Sequence, residues 1–251
     1  MKVISICDHK GGVGKTTSAA AIAQGITKLH PRSKVLLIDA DPQGTATMTI
    51  HGIREAVPGL YEVLKGDISI MDAIRHTEAG EVLPYSRALA SLDVEFSGDL
   101  DAYFLLRERL SELDGIYSHV IIDTAPGLSL ATVQALTASD SVIILIGAYP
   151  ETVDSLPQTM KTIQSVRRVN SDLVILGALI TMYAPRSNVI KQFEELIADT
   201  CKKSKIYLIK TRVRNCAAIH EAHALNVSLF DYAPRSNAVK DYTAVIKELK
   251  L

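Results

Sequence analysis

Apolar positions along this chain fall into short unbroken runs separated by stretches with helical spacing. Val3 to Ile6, Val35 to Asp39, His119 to Asp123, Ser141 to Ile146, Leu173 to Thr181 and Lys205 to Ile209 are aliphatic and β-branched, without polar alternation. Such runs suit parallel strands that helices cover on both faces. Between them, helices are predicted over Ser18 to Leu29, Gly59 to Leu64, Leu100 to Leu113, Ser129 to Ala138, Thr152 to Asn170, Asn188 to Thr200, Ala217 to Leu225 and Asn237 to Leu249. The alternation predicts an α/β fold, a doubly wound, mostly parallel sheet with its ligands at the carboxyl ends of the strands. At 251 residues and 47% hydrophobic, one α/β domain over residues 1–251 accounts for the whole chain.

The chemistry begins where the first run ends. Cys7-Asp8-His9-Lys10-Gly11-Gly12-Val13-Gly14-Lys15-Thr16-Thr17 links that strand to the alanine-rich helix after it. A glycine loop of this kind turns successive N–H groups inward, and the helix adds its positive end, so the two cradle a phosphate chain. Lys15 is placed to reach the β and γ phosphates, and Thr16 to offer its hydroxyl to Mg²⁺. A triphosphate is the expected ligand. The ordinary phosphate loop has glycine where this chain has His9, whereas lysine before a double glycine gives the form K-G-G-x-x-K-[ST]. Two further strands end in acids. Val35 to Gly44 carries Asp39 and Asp41 ahead of Pro42 and Gly44, and His119 to Gly127 carries Asp123. A lone strand-end carboxylate is as readily a helix cap, but beside this loop it reads as part of a magnesium and water site.

These residues carry a resemblance. The loop, the D-x-D-P-Q-G segment and the Asp123 strand resemble the deviant Walker-A ATPases, a family that includes the ParA/Soj partition proteins, MinD, nitrogenase iron protein and arsenite-pump ATPases. The resemblance implies an ATP-dependent homodimer in which Lys10 crosses to the partner's nucleotide. It assigns nucleotide contacts to Lys10, Gly11, Gly12, Val13, Gly14, Lys15, Thr16 and Thr17, and catalysis to Lys10, Lys15 and Asp41, the last orienting the attacking water. It puts Thr16 on the metal, with Asp39 and Asp123 in its shell through waters. The adenine site falls by position between Met182 and the Thr211 to Arg214 segment, with Met182 and Arg212 as contacts. Three departures stand out: Asp8-His9 for Asn-Gln, Ala125 for proline, and Leu225-Asn226 for the glycine before the family's last strand.

Charge separates the branches of that family. Residues 1–150 hold 12 Lys and Arg against 18 Asp and Glu, and residues 151–251 hold 15 against 10. The run Lys202 to Arg214 has six basic residues and no acid, and if its end is extended, Lys210, Arg212 and Arg214 share one side. A charge run is usually a solvated face, but clustered Lys and Arg are also the footprint of a nucleic-acid binder. Thr211 to Asn215, Glu221-Ala222 and Val227 to Tyr232 are similar to the C-terminal segment of small ParA proteins, which implies non-specific DNA binding in the ATP state through Arg186, Lys210, Arg212, Arg214 and Arg235. Tyr-Ala-Pro-Arg-Ser-Asn occurs twice, at 183–188 and 232–237, each time before a helical pattern, where Ser or Asn can cap and the arginine can face an anion.

Other classes lack their features. MinD-like membrane cycling, the main alternative, needs a basic amphipathic tail, whereas the chain ends in Lys247-Glu248-Leu249-Lys250-Leu251, which reads as a packed helix. Cys7, Cys201 and Cys216 are too far apart for a cluster, a zinc site or a disulfide framework. Only Tyr232 and Tyr242 stand late enough for a tyrosine tail. With no apolar run long enough to span a bilayer, and a strand from Val3, the expectation is a cytoplasmic protein, nucleoid-associated with ATP, without a DNA-reading N-terminal extension. The expected cycle is ATP closing a dimer, the dimer holding DNA, and a ParB-like partner triggering hydrolysis and release.

Overall fold

A computed structural model describes residues 1–149, 155–184 and 188–251. Among them, the sheet is built from β1 (Lys2–Cys7), β2 (Val35–Ala40), β3 (Arg75–Thr77), β4 (Gly80–Leu83), β5 (His119–Thr124), β6 (Ser141–Gly147), β7 (Val174–Tyr183) and β8 (Leu208–Arg214), in the order β3-β4-β2-β5-β1-β6-β7-β8. Only the β3–β4 pair is antiparallel, so the sheet is the doubly wound, mostly parallel one that the alternation predicts. The helices are α1 (Lys15–Leu29), α2 (Leu60–Lys65), α3 (Ile70–Ala73), α4 (Leu92–Glu95), α5 (Leu105–Ser111), α6 (Leu130–Ala138), α7 (Ser155–Val166), α8 (Asn188–Lys203), α9 (Ala217–Leu225), α10 (Leu229–Tyr232) and α11 (Asn237–Leu249).

Side-chain alternation in the strands divides the core. Ile4 and Ile6 of β1 pack with Ala20 and Ile22 of α1 and with Tyr242 and Val245 of α11. Val3 faces the opposite layer, with Leu106 of α5 and Ala135 of α6, and Cys7 packs there with Ile163 of α7 and Ile197 of α8. Gly25 is what lets α1 lie so close to its neighbours, because a Cβ there would sit 2.4 Å from Ile246 Cδ1 and 2.6 Å from the Phe230 ring.

Four expectations shift. The β3–β4 hairpin has no counterpart in the apolar pattern, because Arg75–Thr77 is short and polar, and it exists by pairing onto β2 through Leu36 and Glu81. The strand expected over Lys205 to Ile209 runs instead over Leu208–Arg214. Lys205, at φ 55°, closes α8 in a left-handed turn in which Ile206 N–H donates to Cys201 O at 2.9 Å, and this delays extension. Asn226 (φ 56°) makes the turn expected of it, but no strand follows, since the Ser228 hydroxyl accepts from Phe230 N–H and starts α10. The helix expected over Thr152 to Asn170 ends at Val166, because the Asn170 amide instead donates to the carbonyls of Leu136, Thr137 and Ser139 at the end of α6. Its first three residues lie outside the described part.

Candidate functional site

The carboxyl ends of β1, β2 and β5 meet at one edge of the sheet. Gly12 (φ 77°) and Gly14 (φ 82°) take left-handed conformations that side chains rarely adopt, and they turn the chain from β1 into α1. A Cβ at Gly11 or Gly12 would meet nothing within 4 Å, so the cradle is open on its phosphate side. Lys15 is buried at 6% exposure and donates to Lys10 O at 2.8 Å, so its ammonium lies across the loop. Burial pushes it below its ordinary pKa, against the pull of Asp8 and Asp123. Thr16 and Thr17 stand half-buried at the start of α1, Val13 is buried beneath the loop, and Lys10 stands exposed at its rim.

The acids take different positions. Asp39 and Asp123 are register partners across β2 and β5, and both are fully buried. Asp39 accepts from Thr47 N–H (2.8 Å) and Thr47 hydroxyl (2.7 Å), and Thr47 in turn accepts from Tyr85 N–H (2.9 Å). Asp39 thus anchors the turn Ala46–Ile50 directly, an engagement that a water-mediated magnesium role would have to share. Burial pushes its carboxyl up to about 6 despite those donors. Asp123 differs: neither oxygen has a hydrogen-bond partner among the described residues. Burial first, then the charge of Asp39, drives it well above the carboxylate range, and the nearby Thr16 hydroxyl lowers it without meeting hydrogen-bond geometry. Asp41 is 9% exposed and accepts from Gln43 N–H at 2.9 Å within the loop that Gly44 closes. Gly44 is required there twice over, by φ 63° and because a Cβ would lie 2.3 Å from the Tyr85 ring.

A buried carboxylate without a partner, beside a hydroxyl and a lysine at an open glycine cradle, fits a hard divalent cation held through Thr16, phosphate oxygens and water. No trio of His, Cys, Asp or Glu able to hold a metal occurs among the described residues, as expected if phosphates complete the shell. Beyond the loop, Gly14, Thr17, Met182, Arg214, Asn215 and Tyr242 border a cavity of about 50 Å³. Met182, with a strained φ of 53°, lines it; Arg212, expected beside it, does not. A cavity of about 460 Å³ near Gln24, His51 and Glu81 lies away from this edge and holds none of the expected site residues.

Sequence reasoning missed the contacts behind the loop. Asp8, fully buried, accepts from the hydroxyls of Ser155 (2.9 Å) and Thr159 (3.0 Å) on α7 and from Lys10 N–H (3.2 Å). His9 N–H donates to Thr159 Oγ1 at 3.0 Å, and the Tyr149 hydroxyl donates to Gly12 O at 2.7 Å. The unusual Asp8-His9 pair was the one signal, but its partners on α7 lie 147 to 151 positions away.

The end of the basic run, in β8, is extended, but it is not an even stripe. Pairing with β7 is irregular through it, and the Arg212 side chain bonds to the carbonyls of Ile209 and Lys210 and pairs with Glu194 at 2.7 Å. Arg214 grips Asp241 through Nη2 (2.5 Å) and Nε (2.8 Å). Lys202, Lys203, Lys205, Lys210 and Arg235 are exposed. Arg186 lies outside the described residues, so only the second hexapeptide copy can be compared with its expected role: the Ser236 hydroxyl caps α11 by accepting from Val239 N–H.

A family model described as "AAA domain" matches residues 1–175. The chain is 34% identical to the sporulation initiation inhibitor protein Soj of Bacillus subtilis over 99% of this chain and 98% of that protein. It is 33% identical to the chromosome-partitioning ATPase Soj of Thermus thermophilus over 98% and 94%. Among solved structures, cobyrinic acid a,c-diamide synthase from Mycobacterium smegmatis with a bound ATP analog and magnesium superposes with a TM-score of 0.84 at 28% identity, over 97% of this chain and 91% of that one.

Proposed function

The chain belongs to the ParA/Soj family of P-loop ATPases and is itself an ATPase that uses ATP and Mg²⁺; from that premise we propose that it is a partition ATPase whose ATP-bound dimer holds DNA non-specifically and releases it on hydrolysis. The orphaned Asp123 carboxylate under the open glycine cradle is the observation that carries the catalytic part. When bound, Mg²⁺ offsets charge on the β and γ phosphates. The chain's residues do the rest. Backbone N–H groups of residues 11–16 orient the phosphates, Lys15 turns from Lys10 O to the γ-phosphate, and Lys10 reaches from the exposed rim to the nucleotide of a second copy. Asp41 orients the attacking water, and Asp39 holds the turn that keeps Asp41 in place. A ParB-like partner that completes this arrangement would raise turnover, which is slow alone.

For DNA, exposed Lys210 and Arg235 suit phosphate contacts, with Arg186 a further candidate. Arg212 and Arg214 would first have to leave Glu194 and Asp241. Among the described residues no helix is long and apolar enough to cross a membrane. The test is binding to random-sequence duplex DNA with ATP, ADP or no nucleotide across a salt series, using wild type and a Lys210→Glu, Arg235→Glu variant. The reading expects ATP-selective binding that falls steeply with salt and drops at least tenfold in the variant. Absence of binding in every nucleotide state would overturn the DNA reading and leave an ATPase that positions a protein or membrane partner.

A further inference from the structure

Asp8 has no part in the catalysis set out above, yet it is one of the most completely engaged side chains at the site. It is a fully buried acid on a loop built to receive phosphates, where a second negative charge is unfavourable. Its Oδ1 accepts from the Ser155 and Thr159 hydroxyls at 2.9 and 3.0 Å, and its Oδ2 from Lys10 N–H at 3.2 Å. Thr159 also accepts from His9 N–H at 3.0 Å, so α7 grips the loop at two successive residues. Further along the loop, the Tyr149 hydroxyl donates to Gly12 O at 2.7 Å. Lys10 is therefore exposed at its side chain and held at its amide, with fixed contacts on either side of it.

We propose that Asp8 is a positioning residue for Lys10: by fastening the Lys10 amide to Ser155 and Thr159 of α7, it sets the direction in which the lysine leaves the loop toward a second copy of the chain. This rests on the reading in which Lys10 serves the partner's nucleotide. The interaction is geometric. A carboxamide could replace the carboxylate, its oxygen accepting from Lys10 N–H while its NH₂ donates to hydroxyls that accept as well as donate. Alanine could not. The loop's phosphate-facing N–H groups from Gly11 onward do not depend on Asp8, so binding of nucleotide by the monomer and pairing of two copies should separate.

The experiment measures ADP affinity by titration and the ATP-dependent monomer–dimer equilibrium by light scattering, on full-length wild type, Lys10→Ala, Asp8→Ala, Asp8→Asn and a Ser155→Ala, Thr159→Val pair. Wild type should dimerise with ATP and Lys10→Ala should not. If wild type stays monomeric, or Lys10→Ala pairs as well as wild type, the dimer reading falls and the Asp8 assignment with it. With that reading standing, Asp8→Ala and the Ser155, Thr159 pair should weaken dimerisation about tenfold with ADP affinity within threefold of wild type. Asp8→Asn should recover dimerisation to within threefold. Unchanged dimerisation in Asp8→Ala, an equal loss of ADP affinity, or failure of Asp8→Asn to rescue would each overturn the proposal.

Discussion

The two halves of the molecule treat charge in opposite ways. At the ends of β2 and β5, Asp39 and Asp123 lie side by side with no exposure, and Asp123 has no hydrogen-bond partner among the described residues. At β8, every arginine sequence reasoning singled out has an acid on it: Arg212 holds Glu194 and Arg214 holds Asp241. Uncompensated buried charge is costly to a fold, so it persists where a ligand completes it; compensated charge is affordable anywhere and says less about ligands. The acidic edge is thus unfinished without magnesium and nucleotide, whereas the basic strand is already a finished piece of architecture.

The contrast is open to attack, most forcefully at the loop. Lys15→Ala should lower ATP turnover at least a thousandfold through lost phosphate binding. Asp41→Ala should lower turnover about a hundredfold and leave ATP affinity within threefold, since only the attacking water loses its guide. A single-turnover assay beside nucleotide titration separates the two, and normal turnover in Asp41→Ala would remove that residue from catalysis.

A smaller effect tests the basic side. Arg214→Ala strands Asp241, 7% exposed, without its guanidinium, and should cost about 2 kcal/mol in denaturant unfolding, less than a fully buried pair because Arg214 itself is about one-third exposed. Lys210→Ala, at an exposed position, should change stability by under about 0.5 kcal/mol. Equal costs would mean that Arg214 is no more structural than Lys210.

The smallest effect has the sharper sign. Asp39 sits near 6 in the fold against 3.8 ordinarily, so the ligand-free fold binds more protons than the unfolded chain between those values. Its contribution is therefore full below about pH 4 and is lost as pH rises through about 6. Asp123→Asn removes a second buried acid that the fold holds well above the carboxylate range; it should stabilise the ligand-free protein by about 1 kcal/mol at pH 8, remove that acid's own share of the pH slope, and forfeit the stabilisation that Mg²⁺ with ADP gives wild type. Thermal melts across pH with and without Mg²⁺ and ADP check all three. A destabilised Asp123→Asn would show that the carboxylate has a partner in the fold.

The phosphate loop could be read from the sequence because everything it needs is local. Two glycines that tolerate φ near 80°, a lysine and two threonines stand within six residues, between a strand and a helix whose apolar patterns are unmistakable. The central strands were legible for a related reason: burial on both faces leaves no room for polar alternation. Legibility ended at the β3–β4 hairpin, which depends on the edge of a distant strand, β2, and at the start of β8, which depends on the left-handed turn that ends α8 at Lys205.

The sequence by itself determined the fold class, a loop for a triphosphate and which acids stand at the strand ends, because spacing along the chain is what those features are made of. Only the tertiary structure decided what each charge is for. Arg212 and Arg214 look alike with Lys210 until Glu194 and Asp241 are folded against them, and Asp8 reads as an oddity of the loop until Ser155 and Thr159 arrive from 147 and 151 residues away. A charge takes its role from the groups that surround it in space, and those the sequence does not place.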